Sequence, residues 1–417
     1  MREQFTVLNG GNLIDGRGGD PVENGIVVIK NNYIEAVGTI DSTNIPEGSR
    51  IIDTTGKTVM PGLIEAHIHL FGIKSMDLME YFIDPSELRA MRVVLNAWKL
   101  VDSGFTTARE CGSPNGLFLK TAIEEESIIG PRILACGGII SQTGGYGQFF
   151  PSTLPIDWEE QKGPTQFADG VEECRKIVRN KLRAGADFIK IASTGGVMME
   201  NDHPETSRFT AEELKVIVDE AHNSGAKVAC QIQGTQQWIE DLLSVGVDTL
   251  EHGYYLEDDV IEKIAEQGTY LMPTLAIAEA IVRHGSSSGL PEAMVSELRE
   301  ARDRSQRVSF EKACKAGIKI GCGSNYAYDP FAPIGENARE LELQIDGGRS
   351  PMDVLVSATK INAEALGIDD KLGTLEAGKL ADIIVVDGDP IKDITVLQDA
   401  TNIVKVYKEG REIPRLR

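Results

Sequence analysis

The sequence predicts an α/β protein: a (β/α)8 barrel with a small β-sandwich built from both chain ends. Three observations carry this. Between residues 61 and 365, short apolar runs alternate with amphipathic helical stretches, the pattern of βα units around a parallel sheet. Before residue 61 the chain runs through short β-rich segments and Gly/Asn/Asp turns, FTVLNGG, NGIVVIKNNYIEAVG and SRIIDTTGKTVMPG. The same style returns in KLADIIVVDGDP and IVKVYKEGREI. The predicted division is therefore 1–60 and 366–417 for the two parts of the sandwich and 61–365 for the barrel.

Eight barrel strands are expected at LIEAHIHL (63–70), TTARE (106–110), ILACGGII (133–140), FIKIAS (188–193), KVACQIQ (227–233), TLEHG (249–253), YLMPT (270–274) and IKIGCGSN (318–325). The intervening segments ELRAMRVVLNAWKLVDSG, ADGVEECRKIVRNKLRAGA, TAEELKVIVDEAHNSGA and DDVIEKIAEQG carry the 3.6-residue apolar repeat, and most end near Gly. Two connections exceed the usual length, 141–165 after strand three and about 275–305 after strand seven. Both would stand at the C-terminal rim, where barrel enzymes place their sites. The first, SQTGGYGQFFPSTLPIDW, is aromatic enough to line a pocket or an interface.

Charge narrows the function classes. With 64 Asp+Glu against 42 Lys+Arg the formal net charge is -22, which repels phosphate backbones and anionic headgroups, so neither nucleic acid nor membrane is an expected partner. No apolar stretch of about 18 residues occurs and the N-terminus lacks a signal-like pattern, so a soluble cytoplasmic protein is expected. The six cysteines show no C-x-x-C pairing and read as reduced, buried small hydrophobes. Cys230 falls in a barrel strand, but with no His near it in sequence it reads as packing rather than as a nucleophile.

The chemistry lies in polar residues set into apolar strands. His67 and His69 are two apart, so both side chains share the interior face of strand one and form a metal clamp. Lys190, inside FIKI, must be paired, chemically altered or directed to the rim, because an inward ammonium pays for its desolvation. A lysine capped by carbon dioxide becomes a carbamate, an anionic oxygen ligand. His252 in TLEHG is a third imidazole at a strand end. His222 sits on a helix and reads as surface; His203 and His284 lie in polar connections and carry little weight.

These residues stand in a chain that resembles the amidohydrolase superfamily, in its imidazolonepropionase-like and prolidase-like branch of metal-dependent hydrolases. The resemblance runs through VMPGLIEAHIHL, SGFTTARECG, SQTGGYG, GADFIKIASTGGVM, KVACQIQGT, DTLEHGYYL, GIKIGCGSN and LGTLEAGKLADIIVVDGDP, nearly the whole chain. It implies that His67 and His69 hold one metal, that carboxylated Lys190 bridges and that His252 holds a second. It also implies a small-molecule substrate and a homo-oligomer. The family adds a fifth-strand His and an eighth-strand Asp, and here those places read Gln231 and Asn325. Gln233 and Tyr146 likewise stand where relatives often carry His.

Neutral amides are poorer ligands than imidazole or carboxylate, and Asn325 cannot be a general base. The site is therefore expected to hold one divalent ion, zinc first among candidates, rather than two. His67, His69, Lys190 and His252 are the expected ligands, and Lys190, His252 and Asn325 the expected catalytic residues. Tyr146, Gln231, Gln233 and Tyr254 are expected to meet substrate. Of the nearby acids, Asp329 has no assigned role, and Glu251 points away from His252 if its strand is regular. The expected reaction is hydrolysis of a C–N bond in a small amide, cyclic amide or dipeptide-like substrate. The alternatives are a metal-free lyase or decarboxylase built on Lys190, an inactive relative that binds a small molecule, and an engineered inactive variant.

Overall fold

The computed structural model describes residues 4–75, 80–146, 163–195, 209–234, 236–327 and 331–416. Both chain ends meet in one eight-stranded sheet. Its order is Arg411–Glu412, Ile403–Lys408, Ile383–Val386, Thr58–Pro61, Phe5–Leu13, Val22–Lys30 and Tyr33–Thr39, with Arg50–Asp53 paired to the side of Phe5–Leu13. The first strand changes partner along its length: Thr6–Asn9 run parallel to Arg50–Asp53, whereas Asn12 and Leu13 pair with Thr58 and Val59. That switch folds the sheet over, so that Leu8, Val27 and Ile29 share a buried cluster with Ile383, Val385 and Tyr407. The alternate residues Ile384 and Val386 face the other way and pack with Leu63, Leu100 and Phe105 of the barrel.

Seven barrel staves form regular parallel strands: Leu63–Ile68, Phe105–Glu110, Arg132–Ala135, Phe188–Ala192, Lys227–Ile232, Thr249–His252 and Tyr270–Met272. The predicted eighth strand is not a regular strand. Residues 318–325 nevertheless close the ring by backbone bonds, from Leu271 N to Lys319 O at 3.0 Å and from Ala66 N to Cys322 O at 3.0 Å. The predicted third strand is also corrected. It breaks at Gly137 and Gly138, with φ of 66° and 106°, and resumes as a separate strand, Ile139–Ser141, that pairs with Ile191 and with Thr165–Phe167. Lys181 Nζ caps the break, donating to the carbonyls of Gly137 and Gly138.

The helices fall where the apolar repeat placed them, at Ser86–Asp102, Val171–Arg183, Ala211–Asn223 and Asp258–Gln267. Local chemistry sets their ends. Thr210 and Glu213 form a reciprocal capping box ahead of Ala211–Asn223, and Gly268, at φ 71°, terminates Asp258–Gln267. The connection expected at 275–305 is instead helical: Leu275–His284 and Glu292–Ala301 lead into a wider π-type turn, Arg302–Gln306, and then Arg307–Lys315. Much of the other long connection, with His203 and Asp329 elsewhere in the chain, lies outside the described residues. Among the described residues no helix is long and apolar enough to cross a membrane.

Candidate active site

Alternation along the staves turns a column of polar side chains into the barrel. On the first strand Glu65 and His67 are buried and inward. On the second Arg109 spans the interior, its Nε donating to Ala66 O at 2.5 Å, Nη1 to Thr249 Oγ1 at 2.9 Å and Nη2 to Glu251 Oε1 at 2.7 Å. Thr249 Oγ1 also donates to Glu251 Oε1 at 2.5 Å. Glu251 Oε2 lies 2.5 Å from His67 Nδ1.

Glu251 therefore faces the site together with His252, because the regular strand on which the two were expected to point apart is broken at His252. Thr249 and Glu251 are the regular inward residues of their strand, while Leu250 packs in the surrounding apolar layer. His252 enters the site for a different reason: its φ of 76° takes the chain out of β geometry, so two consecutive residues face inward. Among the described residues, four of the eight non-glycine residues with positive φ, His252, Tyr255, Thr274 and Asn325, lie at the ends of staves six to eight. Backbone strain is concentrated where the side chains converge.

Burial pushes the Glu251 carboxyl up, but Arg109, Lys190 and His67 together hold it well below the usual carboxylate range. A carboxylate only accepts, so His67 Nδ1 carries the proton and its Nε2 presents a lone pair to the cavity. Burial and the charge of Lys190 keep His67 neutral and bring His69 down to about 3. Burial, then His67 and Lys190, keep His252 neutral as well. The His67 ring centroid is 5.4 Å from that of His69 and 5.1 Å from that of His252. His252 Nδ1 is paired with Thr274 Oγ1 at 2.7 Å, which fixes its ring plane.

Among the described residues, four buried side-chain atoms in this cluster have no hydrogen-bond partner: His67 Nε2, His69 Nδ1, Lys190 Nζ and Gln231 Nε2. Lys190 is 0% exposed and its Cα is in register with Ala229, two residues before Gln231 on the next strand. Asn325 sits beside His67, its backbone N–H donating to His67 O at 2.7 Å. Gln233 is buried, with its N–H on Thr194 Oγ1 at 2.8 Å. Tyr254 is buried in the core, and Tyr146, partly exposed, lies near enough to add to the upward push that burial puts on the Tyr254 hydroxyl. Among the described residues, no three His, Cys, Asp or Glu side chains are placed to hold a metal ion by themselves, in keeping with amides at 231 and 325.

The other polar candidates lie elsewhere. His222 bonds Asp248 at 2.8 Å on the outer surface, and His284 is exposed at a helix end rather than in a loop. Cys230 packs in the apolar layer outside the barrel, where burial pushes its thiol up to about 12. Sequence reasoning missed Arg109, Thr249 and Thr274 altogether. The available signal was an Arg and a Glu inside two apolar barrel strands, each needing a partner.

Gly323 permits the close pass of the eighth stave over the clamp. A Cβ there would lie 2.6 Å from His67 Cβ and 2.9 Å from His67 N. Gly323→Ala is expected to cost about 1–3 kcal/mol and to displace His67, read as a lowered unfolding midpoint.

Residues 58–413 match the amidohydrolase family model. Ochratoxinase from Aspergillus niger is 30% identical over 98% of this chain and 86% of its own length. Its crystal structure superposes with a TM-score of 0.89 at 28% identity, covering 100% of this chain and 97% of that one. A prolidase crystallised with N-methylphosphonate-L-proline gives a TM-score of 0.90 at 31% identity, covering 99% and 100% of the two chains. A Xaa-Pro dipeptidase with bound methionine gives 0.88 at 30% identity, over 98% and 100%. The chain belongs to the amidohydrolase family, in its prolidase-like and imidazolonepropionase-like branch, and is a hydrolase acting on carbon–nitrogen bonds.

Proposed function

We propose that the protein hydrolyses the C–N bond of a small amide, cyclic amide or dipeptide-like substrate at a site holding one divalent cation. The observation that carries this is the convergence of buried, partnerless His67 Nε2, His69 Nδ1 and Lys190 Nζ around neutral His252. Buried polar atoms are almost always satisfied, so a cluster of orphans asks for a missing partner. The relatives named ochratoxinase, prolidase and Xaa-Pro dipeptidase point to the same bond class.

A divalent cation held by His67, His69 and His252, zinc in the first instance, would polarise the scissile carbonyl and lower the pKa of water. Lys190 would supply the anionic donor by adding carbon dioxide, the N–C bond of a carbamate forming as the ammonium gives up two protons. Gln231 then offers its free amide N–H to a substrate oxygen, with Gln233, Tyr146 and Tyr254 as further contacts. Asn325 stays neutral and orients rather than accepts protons. A second reading is metal-free lyase-type chemistry, or binding without turnover, with Lys190 as amine nucleophile or base; it rests on the same partnerless Nζ.

Metal content separates the two. Protein prepared without chelator and with bicarbonate is expected to carry about one ion per chain by elemental mass spectrometry. His67→Ala should lose that ion and at least about a hundredfold in turnover. A wild-type value near zero, or unchanged turnover in His67→Ala, sinks the metal-centred account.

A further inference from the structure

A second cavity, of about 390 Å³, lies in the helical layer and is lined by none of the residues assigned above. Its walls are the helices Leu275–His284, Arg307–Lys315 and Arg339–Asp346, with the wide turn Arg302–Gln306 between them. Part of its charge is internally spent: Arg339 forks onto Glu279 through two bonds of 2.8 Å. Part is not. Among the described residues Arg307, Glu311 and Asp346, all exposed at the rim, line the cavity without an ion-pair partner. Gln306, 1% exposed, also lines it, and its Oε1 is a buried acceptor with no donor among the described residues. Leu275 and Phe310 supply an apolar wall.

That wall is mechanically joined to the active site. Gln306 Nε2 donates to Pro273 O at 2.7 Å, and the next residue, Thr274, holds His252. Ser305 Oγ accepts from Tyr255 N at 2.5 Å, and Ser309 Oγ from Leu256 N at 2.9 Å. The loops after staves six and seven are thus both tied to the π-type turn, a helical irregularity that tends to occur at functional sites.

We propose that this cavity is an effector site for a free α-amino acid with an aliphatic side chain. Its carboxylate takes Arg307, its ammonium takes Gln306 Oε1 with Glu311 and Asp346, and its side chain lies on Leu275 and Phe310. A simple anion would satisfy Arg307 but leave the acceptors unmet, and an amine would do the reverse. Binding at this site stands independently of the hydrolase reading; only its effect on the rate rests on that reading. Because the same turn anchors Pro273 and Tyr255, occupancy changes the setting of His252 and hence the rate.

The test is calorimetric titration of the full-length protein with L-leucine. One site per chain with Kd below about 1 mM is expected. 4-Methylpentanoate and isopentylamine, which lack the ammonium and the carboxylate respectively, should each bind at least about tenfold more weakly. Arg307→Ala and Asp346→Ala, both surface changes, should each weaken leucine by a similar factor, and His67→Ala should leave it unaltered. No binding to the wild type overturns the proposal. So does binding that survives both surface variants, or that vanishes in His67→Ala, since it would then be in the barrel mouth. A wild-type protein empty of metal sinks the hydrolase reading without moving any of these titrations.

Discussion

Glu251→Ala is expected to lower folding stability by about 3–5 kcal/mol, the scale seen when one partner of a buried ion pair is removed. The variant strands Arg109 in the barrel interior, where Nη2 loses its bond to Glu251 Oε1 and only Thr249 Oγ1 and Ala66 O remain. It also removes the acceptor that fixes His67 Nδ1–H, so the ring is free to turn its lone pair away from the cavity. Cation affinity should fall by about 10–100-fold, the usual effect of losing the group behind a ligating histidine.

Urea unfolding and elemental analysis read the two losses separately. Glu251→Gln keeps the volume and an acceptor oxygen, so most of the packing survives while the charge opposite Arg109 is lost. The pH dependence has a defined sign. The folded carboxyl sits well below its ordinary value, so its contribution to stability is full at neutral and mildly acid pH. It is lost only as pH falls through that depressed value. Wild-type stability in Glu251→Ala would mean that Arg109 is satisfied some other way.

The barrel was legible because parallel strands buried on both faces read as apolar runs and their helices keep a 3.6-residue repeat. Its irregularities were not. ILACGGII is apolar throughout, and nothing in composition says that two glycines at its centre divide it between partner strands. IKIGCGSN reads as a strand, yet Gly321 and Gly323 hold it against neighbours too closely for regular pleating. The span after strand seven read as a loop because one helix was expected between two staves and the chain builds several.

The site divides along the same line. His67, His69, Lys190 and His252 stood out because each is a polar group in an apolar strand, and all four come together in space. Glu251 was lost to the alternation rule itself. The rule is obeyed by Thr249 and Glu251, and it is His252 that departs from it by a positive φ that a non-glycine residue gives no reason to expect.

The amides at 231 and 325 can be tested by putting back what they lack. In Gln231→His with Asn325→Asp, metal content is expected to rise from about one to about two ions per chain. The geometry is ready for both changes. Gln231 is 3% exposed with a partnerless Nε2, and the backbone register sets it on the stave beside Lys190, where an imidazole nitrogen would face the same space. Asn325 holds φ 55° with its N–H tied to His67 O, a backbone setting that Asp tolerates nearly as well as Asn. The aspartate brings a negative charge that helps balance a second cation and an oxygen able to take a proton, neither of which an amide supplies. Turnover of a common amide substrate should rise by about 10²-fold or more, the ordinary worth of a positioned general base. Asn325→Asp alone should give most of the rate and Gln231→His alone most of the added metal, because the carboxylate does proton work and the imidazole only ligates. If the double variant still binds one ion and turns over no faster, the amides are substrate contacts that the chemistry depends on, and the cavity has been rebuilt around one cation rather than stripped of its second.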